Sequence, residues 1–371
     1  MNGLPPLIVF IDPPSHHFQR DGLFDPNNFK LNRDHVRDLL TPYRHVRERF
    51  LKSGIPVHTG DFLVSGEKRG RRNIYISTGI LSNYRKLMAK RDVVLSAFFG
   101  FECPIVDPKM YREMYQAQKH FKHMFSWSDS ATLERFTGGW LRCEKFFWPQ
   151  PYNGVHYDLW QRKERKFLAI INSNKLPRVY WQELYTERLK AIEFFSRRNE
   201  IDLFGMNWDK PPYRVGRTRM PYTLRRLGAE LGEHWRRIHP DPLLTAARRV
   251  YRGPVLSKAE VLSQYTFTLC FENMILKGWI TEKIFDCFYS GTVPVYWGSP
   301  DVEEFIPADC FIDMRRFSSY EDLRFHLLSL SPDSIQGYRN AARDFVSSSA
   351  FHRFSKEAFA DIFERIVQEE S

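Results

Sequence analysis

The 371-residue chain has few cysteines and no hydrophobic run long enough to cross a bilayer, which needs about 20 apolar residues. Its five cysteines are scattered and form no CxxC pair, so neither a disulfide framework nor a cysteine zinc site is indicated. Residues 1–17 contain only the short apolar run LIVF and no basic leader, which is typical of a buried strand rather than a signal peptide. We therefore expect a cytoplasmic protein in a reducing compartment.

The sequence also lacks the patterns of nucleic-acid-binding modules and of a carboxylate metal site. No RRM, KH, helix-turn-helix or zinc-finger pattern accompanies the formal net charge of +11 at pH 7. An anionic substrate or an anionic membrane face suits this charge equally well. No clear carboxylate pair such as DxD follows a predicted strand. We therefore expect no nucleic-acid partner and no bound metal.

Strand and helix signals alternate in the first half of the chain. Buried-strand patterns occupy 7–12, 92–99 and 123–127, and an amphipathic helix pattern covers 34–54. This βα alternation predicts a parallel sheet with helices on its faces.

A Pro-, Asn- and Gly-containing stretch at 148–166 interrupts the pattern and is typical of an interdomain linker. A second α/β alternation begins with FLAIINSN at 167–174 and continues to an amphipathic helix at the end of the chain. We therefore predict two domains, 1–150 and 151–371.

Residues 209–257 are rich in Arg and Pro and differ from the rest of the second domain. Five apolar residues there fall at helical spacing, with arginines beside them: Leu224, Leu227, Leu231, Trp235 and Ile238. Such a helix can lie on an anionic membrane surface, or it can pack on its own domain. Both alternatives stay open from the sequence.

Polar residues follow the predicted strands of the second half. Ser173 and Asn174 end the strand at 167–171, and Asn273 ends the strand that contains LCF. Ligands of parallel α/β sheets bind outside the carboxyl ends of the strands. Ser173, Asn174 and Asn273 are therefore candidate ligands for phosphate or sugar oxygens, with a simple Asx turn as the alternative for Ser173 and Asn174.

Two helix starts in the second half offer positive charge to an anion. Arg188 lies near the start of the helix ERLKAIEFF, where its guanidinium could clamp a pyrophosphate. Thr281 can cap a helix that begins with Glu282 and Lys283, and helix N-termini favour anions. Glu282 could accept hydrogen bonds from sugar hydroxyls. The alternative is that Thr281 is an ordinary helix cap and that Glu282 and Lys283 are a solvated pair.

A carboxylate follows a strand in the first half as well. Glu102, in GFECP, comes just after the strand at 92–99, where it could remove a proton from an attacking hydroxyl. A surface loop acid is the alternative. Asp129, in SWSDS, is a second candidate, although a turn or helix-cap role suits it better.

Several of these motifs together resemble one family, the α1,3/1,4-fucosyltransferases of glycosyltransferase family 10, which use GDP-fucose. The motifs are CFEN, TEK, VPVYWG and FID in the second half, with GFECP, SWSDS, INSN and ERLKAIEFF upstream. Two residues depart from the family pattern: Ser128 stands where the family has Arg, and Trp279 stands where the family usually has Tyr. With no amino-terminal anchor, the chain is similar to the soluble bacterial members.

The resemblance implies an α/β fold of the GT-B type, with two Rossmann-like domains facing a central cleft. Residues 1–150 would bind the acceptor, and 151–371 would bind GDP-fucose. Glu102 would be the catalytic base of an inverting transfer that needs no metal or cofactor. The residues implied to bind the donor are Ser173, Asn174, Arg188, Asn273, Trp279, Glu282 and Lys283.

The implied reaction moves L-fucose from GDP-β-L-fucose to a glycan hydroxyl, O3 of GlcNAc or Glc, on an oligosaccharide or lipid-linked acceptor. Trp279 leaves open a transferase for a different GDP-deoxysugar. An inactive homologue that only binds glycans is a further alternative. The basic residues 209–257 indicate possible peripheral contact with the inner membrane surface.

Overall fold

The computed structural model describes residues 4–28, 38–79, 82–216, 227–228, 231 and 241–370. The chain divides into two compact units. The first contains Met1–Pro104, Pro108–Asn153 and Ser349–Ser371, and the second contains Ile105–Asp107 and Gly154–Ser348.

The first unit is built on a six-stranded parallel sheet in the order β2-β1-β3-β4-β5-β6. Its strands are β1 (Leu7–Asp12), β2 (Val57–Thr59), β3 (Arg72–Ser77), β4 (Val93–Phe99), β5 (His123–Ser126) and β6 (Glu144–Lys145). Its described helices are α1 (Thr41–Lys52), α2 (Gly60–Ser65), α3 (Tyr84–Leu87), α4 (Pro108–Ala117), α5 (Ser130–Thr137) and, at the end of the chain, α13 (Lys356–Gln368). The central strands are almost wholly apolar because helices cover both faces of a parallel sheet.

The second unit has its own six-stranded parallel sheet, in the order β11-β9-β7-β12-β13-β14, and a two-stranded ribbon of β8 and β10. The strands are β7 (Lys166–Ile171), β8 (Lys175–Leu176), β9 (Ile201–Phe204), β10 (Tyr213–Arg214), β11 (Tyr251–Gly253), β12 (Tyr265–Phe271), β13 (Val293–Trp297) and β14 (Ile312–Asp313). The described helices are α6 (Tyr157–Trp160), α7 (Tyr185–Ser196), α8 (Pro242–Arg249), α9 (Lys258–Leu262), α10 (Glu282–Ser290), α11 (Tyr320–Ser329) and α12 (Pro332–Val346). The predicted parallel α/β architecture is confirmed in each unit.

The end of the chain belongs to the first unit, which corrects the predicted second domain of 151–371. In α13, Phe363 stacks on Phe99 of β4 with ring centroids 5.3 Å apart. Arg49 of α1 donates to Glu364 at 2.8 Å and to Asp361 at 2.6 Å. The amphipathic pattern predicted the helix itself, but a pattern within one helix does not reveal which sheet its apolar face covers.

Most of the predicted amphipathic helix within 209–257 lies outside the described residues, including Leu224, Trp235 and Ile238. Leu227 and Leu231 are described and are exposed. Across the described part of the chain, no helix is both long and apolar enough to cross a membrane.

Candidate active site

The carboxyl ends of β7 and β12 lie side by side in the second sheet, and a recess opens beside them. The polar residues that line the recess are Asn172, Arg188, Lys258, Thr268, Lys283 and Asp286. Three of these side chains carry a positive charge. The recess therefore combines the strand-edge position of α/β ligand sites with fixed cations that suit an anionic ligand.

Lys283 is held by a buried carboxylate directly after β12. Its Nζ donates to Oε2 of Glu272 at 2.8 Å and to Oγ1 of Thr281 at 2.8 Å. Glu272 is fully buried, whereas the Lys283 side chain is 25% exposed. An ammonium group has three N–H donors. The described residues use two of them, and the third is the one that a ligand would take.

Two opposing effects set the charge of Lys283. Burial by itself lowers the pKa of the ammonium group, and the position near a helix N-terminus is also unfavourable for a cation. The negative charges of Glu272 and Glu282 outweigh these effects and raise the pKa of Lys283 above its ordinary value. Lys283 therefore stays charged throughout the physiological pH range.

Thr281 does not cap α10 in the way that the sequence predicts. The helix begins at Glu282, as expected, but the Thr281 side chain caps none of its N–H groups. Its hydroxyl instead donates to the carboxylate of Glu272 at 2.9 Å, and its backbone N–H donates to the same carboxylate at 2.8 Å. The prediction that the Thr281 side chain caps this helix is therefore wrong. The hydroxyl bonds the buried carboxylate of Glu272, because a charged acceptor forms the stronger hydrogen bond.

Gly298 has no side chain, and this leaves room for the side chain of Glu272. A Cβ atom on Gly298 would lie 2.5 Å from Cγ of Glu272 and 2.5 Å from the hydroxyl oxygen of Tyr296. We expect Gly298→Ala to displace Glu272 and to lower the free energy of unfolding by about 1–3 kcal/mol, measured by urea unfolding. Gly337→Ala is the control: its Cβ would meet no atom within 4 Å, and because Gly337 lies inside α12 the substitution should not lower stability and should raise it by about 0.5–1 kcal/mol.

Arg188 lies in the first turn of α7 and is only 4% exposed. Its Nη2 donates to the carbonyl oxygen of Phe271 at 2.6 Å and to Oδ1 of Asn273 at 3.1 Å, and the guanidinium lies over the ring of Tyr185 at 4.8 Å. These contacts hold the guanidinium group in a fixed orientation. Asn273 thus positions Arg188 at the end of β12.

Lys258 is a third cation of the recess, and the sequence analysis did not single it out. It lies in α9 and bonds Asp286 at 3.2 Å and Glu282 at 3.5 Å. Glu282 is therefore tied to Lys258 and is not among the residues that line the recess. The spacing of α9 and α10 along the chain gives no signal for this contact, because it depends on how the two helices pack.

Asn174 has a structural role that the sequence did not predict. Its amide donates to the carbonyl oxygens of Asn207 at 3.2 Å and Lys210 at 2.9 Å, which fixes the loop after β9. Asn172 lines the recess in place of Ser173 and Asn174. The indole of Trp208 donates to the carbonyl oxygen of Asn172 at 2.8 Å and holds this turn in position.

Trp279 is 2% exposed and is one of the largest fully buried side chains. Its carbonyl oxygen accepts a hydrogen bond from the Tyr296 hydroxyl at 3.3 Å. The ring is therefore covered by the protein and does not face solvent in this structure. Glu272, like Lys258, was not named as a candidate site residue in the sequence analysis. Its signal was present in the FEN motif, a carboxylate inside an otherwise apolar strand end.

The predicted base belongs to the first unit. Glu102 lies three residues past the end of β4 and is half-buried. Its Oε1 accepts a hydrogen bond from the Cys103 N–H at 2.8 Å, and its carbonyl oxygen accepts one from the Tyr111 hydroxyl at 2.6 Å. Asp129 is the N-cap of α5, with Oδ1 accepting from the Thr132 N–H at 2.8 Å, so it has the cap role that the sequence favoured.

A metal centre is not visible in the described ranges, where no group of three or more His, Cys, Asp or Glu side chains could hold an ion. Two carboxylates at or near the recess bond lysines: Asp286, which lines it, bonds Lys258, and the buried Glu272 bonds Lys283. The chemistry that this site offers an anion is therefore that of fixed ammonium and guanidinium groups.

The fold of this chain is similar to that of a solved structure. The structure of Anabaena Alr3699/HepE in complex with UDP-glucose covers 98% of this chain and 99% of its own, with a TM-score of 0.52 and 13% sequence identity. Two parallel-sheet α/β units with this likeness define the GT-B fold of glycosyltransferases. The predicted fold class is confirmed.

The segment that carries Glu272 and Lys283 is similar to a particular family. Residues 249–343 match the family model described as Glycosyltransferase family 10 (fucosyltransferase) C-term. The chain is 44% identical over 105 residues to the Alpha-(1,3)-fucosyltransferase FucT of Helicobacter pylori, and 41% identical over 71 residues to the GDP-fucose protein O-fucosyltransferase 3 of Xenopus laevis. These matches cover 28% and 19% of this chain, but only 21% and 15% of the two relatives. The resemblance found in the sequence is thus confirmed for this segment.

Proposed function

We propose that the protein is a fucosyltransferase that moves L-fucose from GDP-β-L-fucose to a hydroxyl group of a glycan. The observation that carries this proposal is the position of the family segment in the fold. Residues 249–343 supply Asn273 and Lys283 to the carboxyl edge of the second sheet, where both lie close to Arg188. A nucleoside diphosphate is the anionic group that suits such an edge.

The second unit would bind the donor through its diphosphate. Lys283, fixed by Glu272, and Arg188, fixed by Asn273, would neutralise the charge that grows on the leaving GDP in the transition state. Preorganised charges of this kind stabilise a transition state by several kcal/mol because they need no reorganisation during the reaction. Of the other predicted donor ligands, we keep Ser173 and Glu282 for ribose or sugar hydroxyls.

The first unit would bind the acceptor and supply the base. Glu102 would take the proton from the acceptor hydroxyl as that oxygen attacks the anomeric carbon of fucose. The C–O bond to GDP breaks on the opposite side, so the configuration inverts. Glu102 ends with the proton, and GDP leaves with the electron pair of the broken bond.

The acceptor is the part of the reaction in which the relatives differ. The names of the two relatives above share fucose, but one gives an α1,3 linkage and the other gives a protein as the acceptor. We propose O3 of GlcNAc or Glc, on an oligosaccharide or lipid-linked glycan, as the acceptor position.

A screen of GDP-sugars against a panel of acceptors tests the proposal. We expect GDP release with GDP-fucose to increase when N-acetyllactosamine-type acceptors are added. If the protein preferred another GDP-deoxysugar, that sugar nucleotide would replace GDP-fucose as the proposed donor. Trp279, which stands where the family usually has Tyr, leaves this alternative open. If the protein bound glycans but released no GDP with any donor, the proposal that it is an enzyme would be contradicted. The alternative, an inactive homologue that only binds glycans, would then be supported.

Transfer should not require a metal, because Lys283 and Arg188 already supply the positive charge. We expect full activity in EDTA and no gain on addition of Mn²⁺ or Mg²⁺, measured as GDP release from GDP-fucose with an acceptor. An activity that EDTA abolishes and Mn²⁺ restores would contradict this prediction.

We also propose that the protein works in the cytoplasm, at the inner membrane surface, with the basic residues 209–257 contributing to contact with anionic lipid. This location would bring it to lipid-linked acceptors. The net charge of +11 supports the proposal by long-range attraction to such a surface.

A further inference from the structure

A short ribbon on the second unit combines exposed aromatic side chains with positive charge. The basic-aromatic ribbon, defined here as residues 175–182 and 210–216, is formed where β8 and β10 pair in parallel. Three large side chains on it are unusually open to solvent: Val179 at 55%, Tyr180 at 60% and Tyr213 at 57% exposed. Clusters of exposed apolar surface on a folded protein mark interaction sites.

The ribbon carries four cations and no acid: Lys175, Arg178, Lys210 and Arg214. Asp209 and Glu183 lie just outside it, and the Glu183 carboxylate is engaged by the Thr186 N–H at 3.0 Å. The charges within the ribbon itself are thus all positive.

The ribbon is a built element. Leu176 and Val215 are buried beneath it, and the Val215 N–H donates to the carbonyl oxygen of Leu176 at 2.9 Å. Arg178 donates to the carbonyl oxygen of Gly216 at 2.9 Å, and Arg214 donates to that of Pro177 at 3.1 Å. These bonds hold the outer face in one conformation.

Arg214 also joins the aromatic and basic parts of this face. Its Nη1 bonds the Tyr180 hydroxyl, and its guanidinium lies 5.9 Å from the centre of the Tyr180 ring. Tyr213 pairs with Lys175 across the ribbon. Each exposed tyrosine of the ribbon therefore has a cationic residue as its neighbour.

We propose that the basic-aromatic ribbon docks the protein on an anionic phospholipid bilayer. Tyrosine rings settle at the headgroup level of a membrane, and neighbouring Lys and Arg side chains bind anionic headgroups. Protein interfaces, in contrast, are depleted of lysine at their centre. The mixture of Tyr, Val, Lys and Arg without acids thus fits a bilayer better than a protein partner. The inference extends the proposed membrane contact to 175–182 and does not depend on the donor sugar.

Vesicle co-sedimentation of the full chain tests the charge of the ribbon. We expect binding to vesicles of phosphatidylcholine mixed with phosphatidylglycerol, and little binding to phosphatidylcholine alone. Lys175→Gln with Lys210→Gln should lower the partition coefficient about 30-fold, since each cation near an anionic surface contributes a factor of about five. Both lysines are exposed, so the fold should not change.

The matched control removes the same charge elsewhere on the second unit. Lys163→Gln with Lys190→Gln changes two exposed lysines outside the ribbon and should lower the partition coefficient much less. If the partition coefficient fell equally in the two double variants, the proposed role of the ribbon would be contradicted, because the loss would then be a general effect of net charge. Equal binding of the wild-type protein to both kinds of vesicle would overturn it as well.

The aromatic part has a separate test. Tyr180→Ser with Tyr213→Ser should reduce vesicle binding even at salt concentrations that screen the charges, because the rings contribute apolar contact. Tyr157→Ser, at an equally exposed tyrosine beside the carboxyl end of α10, should leave binding unchanged. Unchanged affinity for GDP in each variant confirms that the second unit is folded. Vesicle binding by the tyrosine double variant equal to wild type would contradict the role of the rings.

Discussion

Lys283→Met should lose nucleotide affinity and stability together. Removing a charged hydrogen bond to phosphate costs about 1.5–3 kcal/mol, which corresponds to a loss of roughly 10- to 150-fold in affinity for GDP. The substitution also leaves the fully buried carboxylate of Glu272 without its counter-ion. Breaking a buried pair in this way lowers the free energy of unfolding by about 3–5 kcal/mol. Calorimetric titration with GDP and urea unfolding measure the two losses.

The double variant Glu272→Gln with Lys283→Met separates the two effects. A neutral amide at position 272 can still accept from the Thr281 N–H and no longer needs a cation, so stability should recover to a large extent. Affinity for GDP should stay low, because the missing ammonium group is the one that we propose to contact phosphate. If affinity returned together with stability, Lys283 would be a structural residue only, and the proposed donor site would be wrong.

Much of this site could be predicted from the sequence because its signals are local. A polar residue that directly follows a buried strand must lie at the edge of the sheet, which predicts Asn273 and Glu102 at strand ends. The TEK motif likewise predicts the start of α10. The sequence does not reveal which partner a polar side chain bonds. The same TEK motif would be present whether the Thr281 hydroxyl caps the helix or bonds Glu272.

The failures share a cause in tertiary packing. Lys258 reaches the recess, and α13 packs in the first unit, through contacts between segments that are distant in the chain. The resemblance implies that Trp279 binds the donor, but the sequence gives no signal for the burial of its ring, which depends on what covers it. Periodicity gives the buried face of an element, but the partner of that face is decided by the whole fold.

Glu102→Gln should lower kcat for transfer by about two to four decades, the usual contribution of a general base. The amide keeps the shape of the side chain and can still accept the Cys103 N–H bond, so the loop after β4 should not change. Affinity for GDP should match that of the wild-type protein, because Glu102 belongs to the first unit and the candidate donor ligands belong to the second. The comparison therefore isolates the chemical step from binding.

Asp129→Asn is the matched control for this prediction. Asp129 also follows a strand of the first unit, but its carboxylate caps α5, and asparagine is an equally good cap. Its turnover should therefore stay within a small factor of wild type. A base also leaves a signature in pH: the acidic limb of the kcat profile, which reports ionisation of the carboxylate, should disappear in Glu102→Gln and persist in Asp129→Asn. If Glu102→Gln kept both its turnover and the acidic limb, Glu102 would not be the base, and another group of the first unit would have to be tested for that role.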